Sequence, residues 1–141
     1  MLIKDFMSTD IVFIRPDTSL TQIAQEMRRH NLGSLPVCDD RGHLKGIVTD
    51  RDLVLRALAK DRKDLTADDL MTIDPVSAHP DMNIHDAALL LAAKQIRRLP
   101  VVEHKRLVGM LSLGDIASRP VYIDEAGDAL SAISRVTRSA L

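Results

Sequence analysis

The sequence predicts an α+β fold built from two β-α-β-β-α repeats related by a pseudo-twofold axis. The first reason is internal: the chain matches itself at an offset of 64 residues, which becomes 63 after one deleted residue. The second is that each copy carries the same succession of apolar patterns, a helical stripe followed by two short strands. The third is composition. With 45% apolar and 28% charged residues, the 141-residue chain has the balance of a globular protein and not of a disordered or fibrous one.

The self-match is ordered. Asp5, Met7, Asp10, Val12, Pro16, Asp17, Ala24, Leu35, Pro36 and Val37 meet Asp69, Met71, Asp74, Val76, Pro80, Asp81, Ala88, Leu99, Pro100 and Val101. Past the deletion, Leu44, Gly46 and Asp52 meet Leu107, Gly109 and Asp115. The shared order of Pro-Asp, Leu-Pro-Val, Leu-x-Gly and a following Asp separates duplication from chance. Repeat one spans 1–64, repeat two 65–118, and 119–141 form a C-terminal segment.

Each repeat opens with a short lead-in, 3–7 or 67–71, then an extended stretch, 11–14 or 76–78, ended by Pro-Asp. A helix follows, with apolar residues at Leu20, Ile23, Ala24 and Met27, or at Ile84, Ala87, Ala88 and Leu91. That i, i+3, i+4, i+7 spacing lines one helical face. Ser19 with Gln22, and Asn83 with Asp86, stand at N-cap and N3. Strands are expected at 35–38 and 99–102, then at 44–48 and 107–111. Between them lies a polar turn at 39–43 or the shorter 103–106, where a deletion is best tolerated. A second helix starts at Thr49 or Ser112. A unit of roughly 60 residues buries little surface alone, so the two copies are expected to pack sheet to sheet.

The first helices differ. Copy one sets Gln22, Gln25, Glu26, Arg28 and Arg29 around its stripe, whereas copy two adds Leu89, Leu90, Ala92 and Ala93. A helix apolar on most faces is buried on most faces. Two covers compete for the extra face: a second subunit, giving a homodimer, or the C-terminal segment. That segment is either helical or mobile. Helical periodicity at Ala126, Leu130 and Ile133 or Ser134 across 124–136 is weakened by Gly127.

Composition narrows function. Nineteen basic residues against 20 acidic ones leave no basic excess for a nucleic-acid backbone, and Phe6, Phe13 and Tyr122 are too few for base stacking. The longest apolar run, 87–93, is far short of the ~20 residues that span a bilayer. No signal peptide is visible, and a lone Cys38 closes no intrachain disulfide. A cytoplasmic protein without nucleic-acid or membrane partners is expected. His30, His43, His79, His85 and His104 have no metal-ligand spacing, and no nucleophile elbow or phosphate-cradling loop is present. Cys38 aligns with Val102 and reads as a packed thiol. No catalytic residue and no metal site is expected.

What recurs is a junction of the form Gly-h-h-[Thr/Ser]-x-x-Asp, with h apolar: Gly46-Ile-Val-Thr49-Asp-Arg51-Asp52 and Gly109-Met-Leu-Ser112-Leu-Gly-Asp115. Helix capping alone accounts for Thr or Ser with Asp three residues on. The same geometry also suits a ligand, since a carboxylate accepts from a ribose diol and hydroxyls reach sugar or phosphate.

The duplicated unit with Leu-Pro-Val followed by that junction resembles the CBS domain, the module named after cystathionine β-synthase. Asn31-Leu-Gly-Ser-Leu-Pro-Val37, Gly46-Ile-Val-Thr-Asp-Arg-Asp52 and Arg97-Arg-Leu-Pro-Val-Val102 carry the resemblance, which covers residues 1 to about 118. It implies a stand-alone CBS pair: a non-catalytic regulatory sensor of AMP, ADP, ATP, S-adenosylmethionine or NAD, with no required cofactor. It also implies two clefts, each joining the junction of one copy to the first strand and pre-Leu-Pro segment of the other. One would use Ile47, Thr49, Arg51 and Asp52 with Asp74, Pro75, Val76, Arg97 and Arg98. Ile47 and Val76 would flank adenine, Asp52 would hold the ribose, and the arginines would meet phosphate. The other would use Met110, Ser112 and Asp115 with Ile11, Val12, Leu32, Gly33 and Ser34. There Gly33-Ser34 replaces the Arg pair, so this cleft is expected to be empty or to take a less charged adenosyl group. A competing reading keeps the clefts vestigial and assigns the chain a structural or interaction role, as a dimer or with an effector protein.

Overall fold

Packing divides the chain differently from its repeats. The computed structural model describes residues 1–119 and 123–140, with side chains for 1–119 and 124–135. Residues 120–122, Tyr122 among them, and residue 141 lie outside the described residues. One unit contains Val12–Pro75 and Lys105–Leu107; the other contains Met1–Ile11, Val76–His104 and Val108–Leu141. Each repeat's lead-in therefore belongs to the unit built around the other repeat.

In the first unit, Ser19 caps α1 (Leu20–His30): its hydroxyl accepts from the Gln22 N–H at 3.3 Å, and Gln22 Oε1 accepts from the Ser19 N–H at 3.2 Å. The helix ends at Asn31, whose φ of 53° lies in the left-handed region that asparagine tolerates. Ile23 and Met27 are buried with Ile14, Leu35, Val37, Val48, Leu53 and Leu70. β1 (Ser34–Cys38) runs antiparallel to β2 (Leu44–Thr49). In the turn between them, Asp39 accepts from the N–H groups of Arg41 and His43, both at 2.9 Å. These bonds, that from His43 foremost, hold its carboxyl below the usual carboxylate range. α2 (Asp50–Asp52) continues as a π turn, Leu53–Ala57, and a 3₁₀ turn, Leu58–Lys60.

The stretch predicted at 11–14 contributes one parallel bridge, Ile14 to Val37. Its bonds run from the Ile14 N–H to the Pro36 carbonyl and from the Cys38 N–H to the Ile14 carbonyl. The next donor along the ladder would be residue 16, a proline without an N–H, so pairing stops. In repeat two the single bridge from Ala78 to Val101 ends at Pro80 in the same way.

α3 (Ala67–Leu70), capped by Thr66 and Asp69, leads into β3 (Thr72–Ile73), which pairs with β2 through Gly46–Ile73 and Ile47–Thr72. The sheet order is β1-β2-β3. A Cβ on Gly46 would lie 2.6 Å from the Thr72 carbonyl oxygen and 2.7 Å from the Met71 sulfur.

The second unit repeats this plan with the first lead-in. Ile3, fully buried, joins a core of Ile84, Leu91, Leu99, Val101, Leu111 and Ile116. Asp5 accepts from the Leu2 N–H at 3.1 Å, as Asp69 does from the Thr66 N–H at 2.9 Å. Asn83 caps α4 (Ile84–Lys94), but it accepts from the N2 residue, His85, at 2.8 Å, so the expected pairing with Asp86 is not made. β4 (Arg98–Glu103) and β5 (Arg106–Ser112) are joined through His104 and Lys105, at φ values of 52° and 67°. Two successive positive values make the tight turn that the deletion requires. Ser8 and Met110 exchange N–H···O bonds, both 2.9 Å, and a Cβ on Gly109 would meet the Met7 sulfur at 2.5 Å.

α5 (Leu113–Ala117) and α6 (Ile123–Ala140) complete this unit, with α6 packed on α4 and α5. Within the C-terminal segment the structure has the helix α6. Its buried stripe is Ala126, Ala129 and Ile133; Ala126 and Ile133 lie where expected, while Leu130, also expected there, is 41% exposed and Ala129 is buried in its place. Small alanines pack where a helix approaches closely, so hydropathy favoured the wrong neighbour. Ala88 and Ala92 of α4 line the groove against α6, Leu90 packs on the core, and Leu89 remains 56% exposed.

Gly46→Ala is expected to destabilise the protein by about 1–3 kcal/mol, because backbone must move. Gly127, whose added Cβ would meet nothing within 4 Å, supplies the contrast. Gly127→Ala should stabilise α6 by up to about 1 kcal/mol. Urea unfolding midpoints check both, and equal midpoints for Gly46→Ala and wild type would exclude the close crossing.

Candidate ligand-binding site

The two strand-to-helix junctions fold alike. Thr49 Oγ1 accepts from the Asp52 N–H at 3.2 Å, and Asp52 Oδ2 accepts from the Thr49 N–H at 2.8 Å. Ser112 Oγ accepts from the Asp115 N–H at 3.0 Å, and Asp115 Oδ2 accepts from the Ser112 N–H at 2.8 Å. Both are reciprocal capping boxes, so the capping account of these residues holds in full. Each carboxylate is half-buried and spends one oxygen on the cap. The other oxygen of Asp52 faces the Arg56 Nε at 3.6 Å, while Arg56 also donates to the Leu70 carbonyl at 3.1 Å. Arg56 was missed in the sequence, although its i+4 spacing from Asp52 was a signal.

Each pre-Leu-Pro segment lies against the junction of its own repeat. The Asp50 N–H donates to the Gly33 carbonyl at 2.8 Å, and Ser34 stands opposite Thr49 in the ladder. The Leu113 N–H donates to the Arg97 carbonyl at 2.9 Å. A Cβ on Gly33 would lie 3.2 Å from the Asp50 carboxylate, whereas Arg97 faces Leu113, and this local difference accompanies the loss of the Arg pair from copy one.

The first unit thus holds Ile47, Thr49, Arg51, Asp52, Asp74 and Pro75 of one predicted cleft, and Val12, Leu32, Gly33 and Ser34 of the other. The second holds Val76, Arg97 and Arg98, and Ile11, Met110, Ser112 and Asp115. Ile47 pairs with Thr72 on β3, and Arg51, Arg97 and Arg98 are exposed. Asp74 takes a φ of 49°, at the step from β3 into repeat two's extended stretch. Cys38 is 2% exposed, and burial pushes its thiol up to about 11, protonated at neutral pH. Among the described residues no cluster of His, Cys, Asp or Glu could hold a metal ion, and no helix is long and apolar enough to cross a membrane.

Two copies of this junction on two similar sheets define a tandem module, and the chain belongs to the CBS-domain family: the model for the CBS domain matches residues 3–58 and 67–122. The chain is a CBS pair followed by a C-terminal helix. It is 41% identical to the CBS domain-containing protein YhcV of Bacillus subtilis over 133 residues, 94% of each chain. Among solved structures it resembles CBSX2 of Arabidopsis thaliana, in complex with AMP, at a TM-score of 0.77 and 31% identity, covering 87% of this chain and 98% of that one. It also resembles the CBS domain pair of protein MJ0100, in complex with 5′-methylthioadenosine and S-adenosyl-L-methionine. There the TM-score is 0.75 and identity 31%, with 84% of this chain and 94% of that one covered.

Thr49→Ala and Ser112→Ala should each cost about 1 kcal/mol of stability through the lost cap. Thermal unfolding reads this directly, and an unchanged Tm in both variants would show that the hydroxyls are not capping.

Proposed function

We propose that the protein is a non-catalytic regulatory module that binds an adenosine-containing ligand in clefts shared by its two repeats. AMP, ADP, ATP, S-adenosylmethionine and NAD form the candidate class. The observation that carries this reading is the pair of CBS-pair neighbours bearing AMP and S-adenosyl-L-methionine, joined to a junction that keeps a carboxylate oxygen outside each cap. In the better-equipped cleft Asp52 holds the ribose, Ile47 and Val76 flank adenine with Asp74 and Pro75 beside them, and Arg51, Arg97 and Arg98 meet phosphate. The cleft of Ser112 and Asp115, with Gly33 and Ser34 in place of arginines, takes a less charged adenosyl group or none. Ligand binding regulates by favouring one arrangement of the protein over another. Exposed apolar residues, Leu89 on α4 and Val54, Leu55 and Leu58 after α2, support self-association as a homodimer.

A second reading rests on one observation: Asp52 and Asp115 are both explained by capping, which leaves room for an interaction protein with vestigial clefts. Isothermal titration with AMP, ATP and S-adenosylmethionine separates the two. Arg98→Ala should weaken nucleotide binding about tenfold or more through a lost charged hydrogen bond, with circular dichroism unchanged. Asp52→Asn should weaken it as well. Absent or equal heats in all three proteins would leave the interaction reading standing.

A further inference from the structure

In the first unit, Gln22, Gln25, Glu26 and Arg29 stand at i, i+3, i+4 and i+7 along α1 and line a cavity of about 530 Å³. Phe13, Arg15 and Thr18 line it from the segment that precedes the helix. Side chains alternate along an extended chain, so Phe13 points away from Val12 and Ile14, which pack on the core, and it is 47% exposed. None of these seven residues belongs to either adenosine cleft. At the 64-residue offset, Phe13, Gln22, Gln25, Glu26 and Arg29 meet Ser77, Asp86, Leu89, Leu90 and Ala93, so repeat two lacks both the ring and the amides. The volume lies within the usual range for small-ligand sites, roughly 300–1,000 Å³.

The charges here are already matched. Arg15 pairs with Asp40, and the Glu26 carboxylate faces the Arg29 Nη1 at 3.5 Å and the His30 Nε2 at 3.3 Å. An ionic ligand would enter without a counter-charge or break one of these pairs, which selects for a neutral one. Hydrogen-bonding capacity is left over. Gln22 accepts from the Ser19 N–H through Oε1 and keeps its amide donors, and Thr18 accepts from the Arg15 N–H at 3.0 Å and keeps its hydroxyl proton. The Gln25 carboxamide has no partner among the described residues. A carboxamide sets a donor beside an acceptor, which matches vicinal hydroxyls, and an aromatic ring receives the apolar C–H face of a sugar ring.

We propose that this groove binds a neutral saccharide. Phe13 stacks on the C–H face of one ring, Gln22 and Gln25 bond its hydroxyls from α1, and Arg15 and Thr18 bond them from the other wall. The site lies wholly within repeat one and shares no residue with the adenosine clefts, so it stands or falls independently of nucleotide binding.

Maltose and the acyclic polyol sorbitol are the probes, titrated into the full chain and followed by amide NMR, which reads weak binding and sees the Gln22 and Gln25 side-chain N–H groups directly. Maltose should shift those signals and the backbone of 13–18 saturably. Sorbitol, which offers no ring face to Phe13, should bind about tenfold more weakly. Phe13→Ala should weaken maltose binding about tenfold, and Gln25→Leu, which installs the repeat-two residue, about threefold or more. Both positions are exposed, so circular dichroism and the AMP titration should be unchanged in the two variants. No saturable shift with maltose, shifts centred outside 13–29, or the same Kd in wild type and Phe13→Ala overturns the proposal whatever AMP does. Equal affinity for maltose and sorbitol overturns the assignment of Phe13 to a sugar ring.

Discussion

At Gly46 and Gly109 a lead-in segment crosses the inner strand of each sheet so closely that one added carbon would meet the Thr72 carbonyl oxygen at 2.6 Å or the Met7 sulfur at 2.5 Å. The rest of each unit depends on that bare backbone. It lets β3 pair with β2, and Ser8 with Met110, which settles Met71 over one sheet and Met7 over the other. The lead-ins in turn carry Ile3 and Leu70, both fully buried, into the two cores. Three residues on from each glycine the same strand reaches Thr49 or Ser112. The crossing that completes the sheet therefore also sets where the junction emerges.

Those junctions show how a structural and a binding role share a residue. A carboxylate has about four acceptor sites, and the cap takes one oxygen's worth. Asp52 and Asp115 are consequently held in fixed rotamers by their own backbone before any ligand arrives, and a preorganised acceptor loses little entropy on binding. Arg56 adds a further constraint on Asp52 through the Leu70 carbonyl, tying the junction to α3. At the second junction the matching position is Arg119, whose guanidinium lies over the Phe6 ring, 4.9 Å from its centroid.

Much of this was readable from periodicity and duplication. The stripes of α1 and α4 follow strict helical spacing, and strong contrast between Leu or Ile and charged neighbours makes such spacing plain. In α6 the positions Ala126 and Ile133 were readable but Ala129 was not, since it contrasts weakly with Ser131 and Ser134 while Leu130 draws the eye outward. The identities Asp5/Asp69, Met7/Met71 and Pro16/Pro80 were visible. The aspartates cap turns within three residues, but passage over a glycine and termination of a parallel ladder are interactions with residues far along the chain. The grouping of ligand residues came from family likeness alone. No spacing within a repeat could have supplied it, because residues of the two groups stand side by side along each sheet, Ser34 opposite Thr49 being the plainest case.

The exchange of lead-ins has a consequence for ancestry. A single repeat standing alone would lack the strand that completes its own sheet and would expose an unpaired edge. Reciprocal swapping between two identical molecules closes both edges at once. Joining the two repeats in one polypeptide makes that encounter intramolecular. Each repeat of the present chain thus completes the unit built around the other.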